Sequence, residues 1–149
     1  MKKPVKAKAT PKRIDYNKTL EQLDGLPTPA IEADTHLVMT TNELRRKPMK
    51  DFTVEDLRLL AGQSFYLDII IPMAIKCLQE DILSEGDHYP GDLLKNVLDS
   101  DSDYWLDQRD AWQTVVDLYE QNRSLFEGDN QYRQIRKSYD RFSGIHKRG

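Results

Sequence analysis

The stretch FYLDIIIPMAIKCLQEDI, residues 65–82, decides the fold. Leu67, Ile70, Ile71, Ala74, Ile75, Leu78 and Ile82 recur at i, i+3, i+4 and i+7, the spacing of one helical face. Pro72 interrupts the run, because proline lacks the N–H that a helix interior needs. The pattern therefore predicts a kinked helix, or a second helix that opens with Pro72 in its first turn. A short buried strand at Ile69–Ile71 is the competing reading, but it would stand alone among helical patterns.

The same signals continue on either side. Thr19 and Gln22 are spaced as a capping box, and Gly25 supplies the stop of a short helix. Pro27 and Pro29 then predict an extended linker. Residues 35–47 place Leu37, Val38 and Leu44 at helical spacing and must end before Pro48. Thr53, with Asp56 three residues on, opens a helix striped by Val54, Leu57, Leu60 and Ala61. His88-Tyr89-Pro90-Gly91 reads as a turn leading into a helix over residues 92–98. Tyr104, Trp105, Trp112, Val115, Val116 and Tyr119 mark a further helical region. Tyr132, Ile135, Tyr139 and Phe142 mark the last helix. No turn is flanked by alternating apolar runs, so no hairpin is predicted. The expectation is an all-α, compact single-domain bundle of about six or seven short helices. Residues 1–17 are expected to form a disordered basic tail and residues 18–149 the domain.

Charge is strongly segregated beneath a formal net charge of -3. The first thirteen residues carry Lys2, Lys3, Lys6, Lys8, Lys12 and Arg13 with no acid. Between Glu80 and Asp110 lie ten acids against only Lys95 and Arg109. The chain turns basic again at Arg133, Arg136, Lys137, Arg141, Lys147 and Arg148. An apolar share of 38% supports one modest core beneath a charged surface. The lone Cys77 excludes an internal disulfide and a cysteine metal cluster, in keeping with a cytoplasmic protein. No secretory h-region follows the leading lysines, and Asp68 breaks the most apolar run well short of a membrane span.

Nothing in the chain reads as a catalytic centre or a cofactor site. His36, His88 and His146 fall in no paired ligand spacing, and none adjoins a nucleophile. Asp87-His88 reads as a surface pair. Cys77 reads as a small hydrophobe, since Lys76 alone would hardly activate it. Asp99-Ser100-Asp101-Ser102-Asp103 invites a calcium loop. The sixth position is Tyr104 where a sharp turn needs glycine, and the twelfth is Asp110 where a glutamate is usual, so no metal is expected. What remains is an acidic stretch able to steer a cationic partner, with Tyr104 as an aromatic anchor.

Three segments taken in order, ELRRKPMKDFTVEDLRLLAGQ (residues 43–63), IPMAIKCL (71–78) and EGDHYPGDLL (85–94), resemble immunity proteins of bacterial contact-dependent growth inhibition systems. The similarity runs over roughly residues 19–105. It implies a non-enzymatic cytoplasmic protein whose partner is the C-terminal effector domain of a cognate toxin, often a nuclease, with the active site masked. It implies no membrane and no small-molecule substrate. The motif residues Arg45, Arg46, Phe52, Leu57, Leu60, Tyr89, Pro90 and Gly91 are expected to build scaffold. The toxin-binding face is expected at Glu85, Asp87, Asp92, Asp99, Asp101, Asp103, Tyr104 and Asp107. The alternative is a nucleic-acid-binding regulator that uses the basic termini.

Overall fold

The computed structural model describes residues 13–26, 28 and 35–146, which contain nine α-helices and no strand. The expected proline linker and most of the expected basic tail lie outside the described residues. The chain divides into two units, residues 1–52 and 53–149.

In the first unit, α1 (Leu20–Asp24) begins at the Thr19–Gln22 capping box and ends at Gly25 in the left-handed region, φ 71°. Helix α2 (His36–Arg45) is capped by the Thr35 side chain. A 3-10 turn over Met49–Asp51 follows. It is pinned to the chain before α1 by Met49 N–H to Lys18 O at 3.0 Å and Lys50 N–H to Tyr16 O at 2.8 Å. Arg45, only 9% exposed, clamps the unit. Its guanidinium donates to Thr28 Oγ1 at 2.7 Å, to both Asp24 carboxylate oxygens at 2.8 Å and to Leu26 O at 2.8 Å. Leu37 and Val38, expected on a buried stripe, stay exposed. The buried residues of α2 are Leu44 and Arg45, in its last turn, where the clamp holds it.

The second unit opens at the Thr53–Asp56 capping box of α3 (Val54–Gly62). Helix α4 (Leu67–Glu80) is the helix read from residues 65–82, and it runs through Pro72 without a break. The carbonyl that proline leaves without a helical partner belongs to Asp68. Both residues are exposed, so water can satisfy it. Helices α5 (Asp92–Asp99), α6 (Ser102–Leu106), α7 (Arg109–Gln121), α8 (Arg123–Phe126) and α9 (Arg133–Ser143) complete the unit. The sequence reading merged α6, α7 and α8 into one region, which accounts for the larger helix count. The chain breaks at Asp107–Gln108 and again at Asn122, and neither break carries glycine or proline.

The core joins Leu57 and Leu60 of α3, Ile70, Ile71, Ala74 and Leu78 of α4, and Leu93, Leu94 and Val97 of α5. An aromatic layer unites α6 to α9. Trp105 is fully buried and meets Phe142 edge-on at 4.9 Å, while Trp112 Nε1 donates to Phe142 O at 2.8 Å. Tyr119 stacks on Phe126 at 4.7 Å and on Tyr139 at 3.7 Å.

Candidate functional site

The acidic stretch that looks continuous in sequence divides between the two ends of α5. Asp92 opens that helix and Asp99 closes it, about 10 Å further along its axis at ~1.5 Å per residue. The two groups of acids have different tasks.

At the first end, Asp92 is only 2% exposed. Its carboxylate accepts N–H bonds from Gly86 at 2.7 Å, His88 at 3.0 Å and Tyr89 at 3.3 Å, and Arg58 Nε lies 3.9 Å away. It folds the loop back onto the start of α5. Glu55 of α3 takes Arg58 in a two-pronged bond at 2.6 Å and accepts the Asp87 N–H at 2.8 Å. The Arg58 hydrogen bonds hold the Glu55 carboxyl below the usual carboxylate range, against the opposing effect of burial. The segments VEDLR and EGDHYPGD therefore meet in space, and their polar residues build scaffold. Gly91 sits at φ 93°, and a Cβ there would lie 2.8 Å from Ile135 Cδ1. The positive φ calls for glycine, and any side chain there would also have to displace the end of Ile135. Of this group, the Glu85 and Asp87 side chains remain on the surface.

At the far end, Asp99 is ion-paired. It bridges Lys95 one turn back and Arg141 of α9, the latter at 2.6 Å, and its side chain is 27% exposed. Burial opposes its ionisation, but hydrogen bonds from Lys95 and Ser138 and the charges of Lys95 and Arg141 outweigh it and lower its pKa. Asp101 caps α6 by accepting the Asp103 N–H at 3.0 Å, and its own N–H donates to Ser64 Oγ at 3.0 Å. Asp101, Asp103 and Asp107 are exposed around α6. Tyr104 is half-buried. Burial, and then the negative charge of Asp68, push its hydroxyl pKa well up, so it stays a neutral phenol. Its ring meets Trp105 edge-on at 5.1 Å. Trp105 Nε1 in turn donates to Ser100 Oγ at 2.9 Å, so that indole belongs to the core.

The structure adds two residues that the sequence reading did not select. Phe65 is 40% exposed in the turn between α3 and α4. Ser64 and Tyr66, on either side of it, both take the left-handed conformation, at φ 56° and 54°. Such a pair costs on the order of 1 kcal/mol or more for non-glycine residues, and it leaves the aromatic ring in solvent. Asp68, three residues on, acts on Tyr104. Phe65, Asp68, Asp101 and Tyr104 therefore gather from the α3–α4 turn, the first turn of α4 and α6. Aromatic residues beside left-handed serine or tyrosine are invisible to hydrophobic periodicity, which placed Phe65 at the start of the core helix.

The remaining candidates are accounted for by local contacts. Cys77 is half-buried, and burial raises its thiol pKa, which leaves it a poor nucleophile. His146 lies 2.7 Å from Trp105 O and 3.3 Å from Arg109, and it meets Trp112 edge-on. Among the described residues, no three His, Cys, Asp or Glu side chains form a metal-binding group, and no helix is long and apolar enough to cross a membrane. The aspartates of the 99–103 run diverge, with Asp99 toward α9 and Asp101 onto its own helix.

Compared with known families, residues 22–115 match the family described as CDI immunity proteins. Comparison with curated proteins and with solved structures gave no match.

Proposed function

The chain belongs to the CDI immunity proteins, and from that membership we propose that it binds and neutralises the effector domain of one cognate toxin, using the acids exposed around α6. The effector is a nuclease in this reading. A nuclease cleft is built to hold phosphate, so an inhibitor that presents carboxylates finds a complementary field there. Masking of that cleft follows from occupying it. The action is in the cytoplasm and requires no catalysis by the inhibitor.

The observation that carries the reading is the exposure of Asp101, Asp103 and Asp107 around one short helix, beside Phe65 and Tyr104. Glu85 and Asp87 extend the negative surface at the other end of α5. Asp92 anchors the loop that carries Glu85 and Asp87, and Asp99 is an ion-paired strut at the α6 end of α5. A charge-reversal test should therefore avoid both, because altering them would disturb the fold as well as the face.

The test is co-expression with the cognate effector domain. Wild-type protein should restore growth, and Asp101→Asn/Asp103→Lys/Asp107→Lys should protect poorly while folding normally. Asparagine retains the cap of α6 in that variant. Full protection by the triple variant would remove the acidic-face mechanism, and no protection by wild type would remove the pairing itself.

A further inference from the structure

Helix α4 carries a second apolar row besides the one that enters the core. Ile69, Pro72 and Met73 repeat at i, i+3 and i+4, on the side away from Ile71, Ala74 and Leu78. Pro72 is exposed, and Ile69 and Met73 are half-buried. Phe65, 40% exposed, stands in the turn at the N-terminal end of the row. We propose that this row and the turn before it form the apolar centre of the effector interface, with Phe65 as its projecting anchor. This rests on the reading of the protein as an effector inhibitor and names the surface that its partner must bring, apolar at the centre and cationic at the rim.

Stability alone does not account for such a face. Ser64 and Tyr66 hold φ at 56° and 54°, a conformation that destabilises non-glycine residues. Pro72 deprives the Asp68 carbonyl of the N–H it would receive from four residues on, and proline is the least favourable residue in a helix interior. Its ring is exposed, so core packing does not offset that loss. Departures from local preference gather where function requires them, and three of them fall within nine residues here.

The turn is held from both sides. Gln63, Ser64 and Phe65 donate their N–H groups to the carbonyls of Leu59, Ala61 and Leu60 at 3.0 to 3.1 Å. Tyr66 O accepts from Ile69 and Ile70 at 2.9 and 2.8 Å, and Ser64 Oγ accepts from Asp101 N–H at 3.0 Å. Phe65 is thus presented on a fixed backbone, and an anchor ordered beforehand loses little entropy on binding.

Charge selects the occupant. Asp68 and Asp101 border the row at the Phe65 end and Glu80 stands at the other, against Lys76 alone. An effector surface with a basic rim complements that pattern, whereas a second copy of this chain would set acid against acid.

Calorimetric titration of the full chain into the cognate effector domain tests this, with urea denaturation and sedimentation of each variant alone. The variants are Met73→Gln, Phe65→Ser/Met73→Gln, Pro72→Ala and a control, Leu125→Gln, at an exposed leucine of α8. The double variant should bind at least about thirtyfold more weakly and Met73→Gln several-fold, with Leu125→Gln within about twofold. Pro72→Ala should raise the urea midpoint, because the helix regains a hydrogen bond, while binding several-fold more weakly. Row variants that bind like the control overturn the proposal and leave the inhibitor reading intact. Binding losses that only track losses of stability overturn it too, since the row would then pack within the chain. A dimer that the double variant dissolves, with effector affinity unchanged, would assign the row to a second copy instead. Wild-type protein that does not bind the effector overturns both readings.

Discussion

Asp101 donates its backbone N–H to Ser64 Oγ at 3.0 Å, joining the start of α6 to the turn between α3 and α4 across 37 residues of sequence. That bond brings Phe65, which carries no charge and lies outside the acidic stretch, to the edge of the acidic face. Aromatic residues, phenylalanine among them, are enriched in protein interfaces relative to the rest of the surface. Phe65→Ala should weaken effector binding about tenfold, ~1.4 kcal/mol, while shifting stability by less than about 1 kcal/mol. Paired titration and urea denaturation check it, and unchanged affinity would leave Phe65 a bystander.

Asp92 should behave in the opposite way. Its carboxylate accepts three loop N–H groups while 2% exposed, so Asp92→Ala orphans those donors. A loss of about 3–5 kcal/mol in unfolding free energy is expected. Any loss of binding should disappear once affinity is corrected for the folded fraction. Wild-type stability with impaired binding would put Asp92 in the interface instead.

Gly91 allows its two constraints to be separated. Gly91→Ala adds strain at φ 93° and a clash with Ile135 Cδ1 at 2.8 Å. Ile135→Val removes the clashing carbon. The double variant should recover part of the loss, with a coupling on the order of 1 kcal/mol in a double-mutant cycle, and the backbone share should persist. Strict additivity would mean that α9 yields without cost.

Much of this fold was legible because its determinants are local. The Thr19–Gln22 and Thr53–Asp56 caps, the Gly25 stop and the seven-position stripe of residues 65–82 all declare themselves within one or two turns. The site was only half legible for the same reason. Asp92 and Asp101 look alike in sequence, yet one is buried by a loop that folds back on it and the other is exposed as a helix cap. That difference depends on Glu55, Arg58 and Ser64, which lie some forty residues upstream and meet these aspartates only after α3 and α5 pack together. The breaks at Asp107–Gln108 and Asn122 were missed because they follow from aromatic packing among Trp105, Trp112, Tyr119 and Phe142, without any glycine or proline to mark them.

The α7–α9 junction gives a pH prediction. Hydrogen bonds from Arg123 and then Tyr139 draw the Glu120 carboxyl down to about 2 from its ordinary 4.5. A carboxyl lowered on folding stabilises fully above its unfolded value, and that contribution is lost as pH falls through the folded one. Wild type should therefore exceed Glu120→Gln in stability at pH 7. The gap should narrow between pH 4.5 and pH 2 in urea denaturation. The group is surface-exposed, so the gap should be modest and should shrink with salt. A gap independent of pH would mean that the contribution is not electrostatic.

The central claim is that this protein neutralises a toxin effector through a negatively charged face. Calorimetric titration into the cognate effector domain, repeated at about 50 and 200 mM salt, tests it most directly. The account predicts tight one-to-one binding that weakens at least about tenfold across that range, because the face acts on a basic cleft. Binding that ignores salt would contradict the acidic mechanism, and the absence of binding at low salt would contradict the pairing itself.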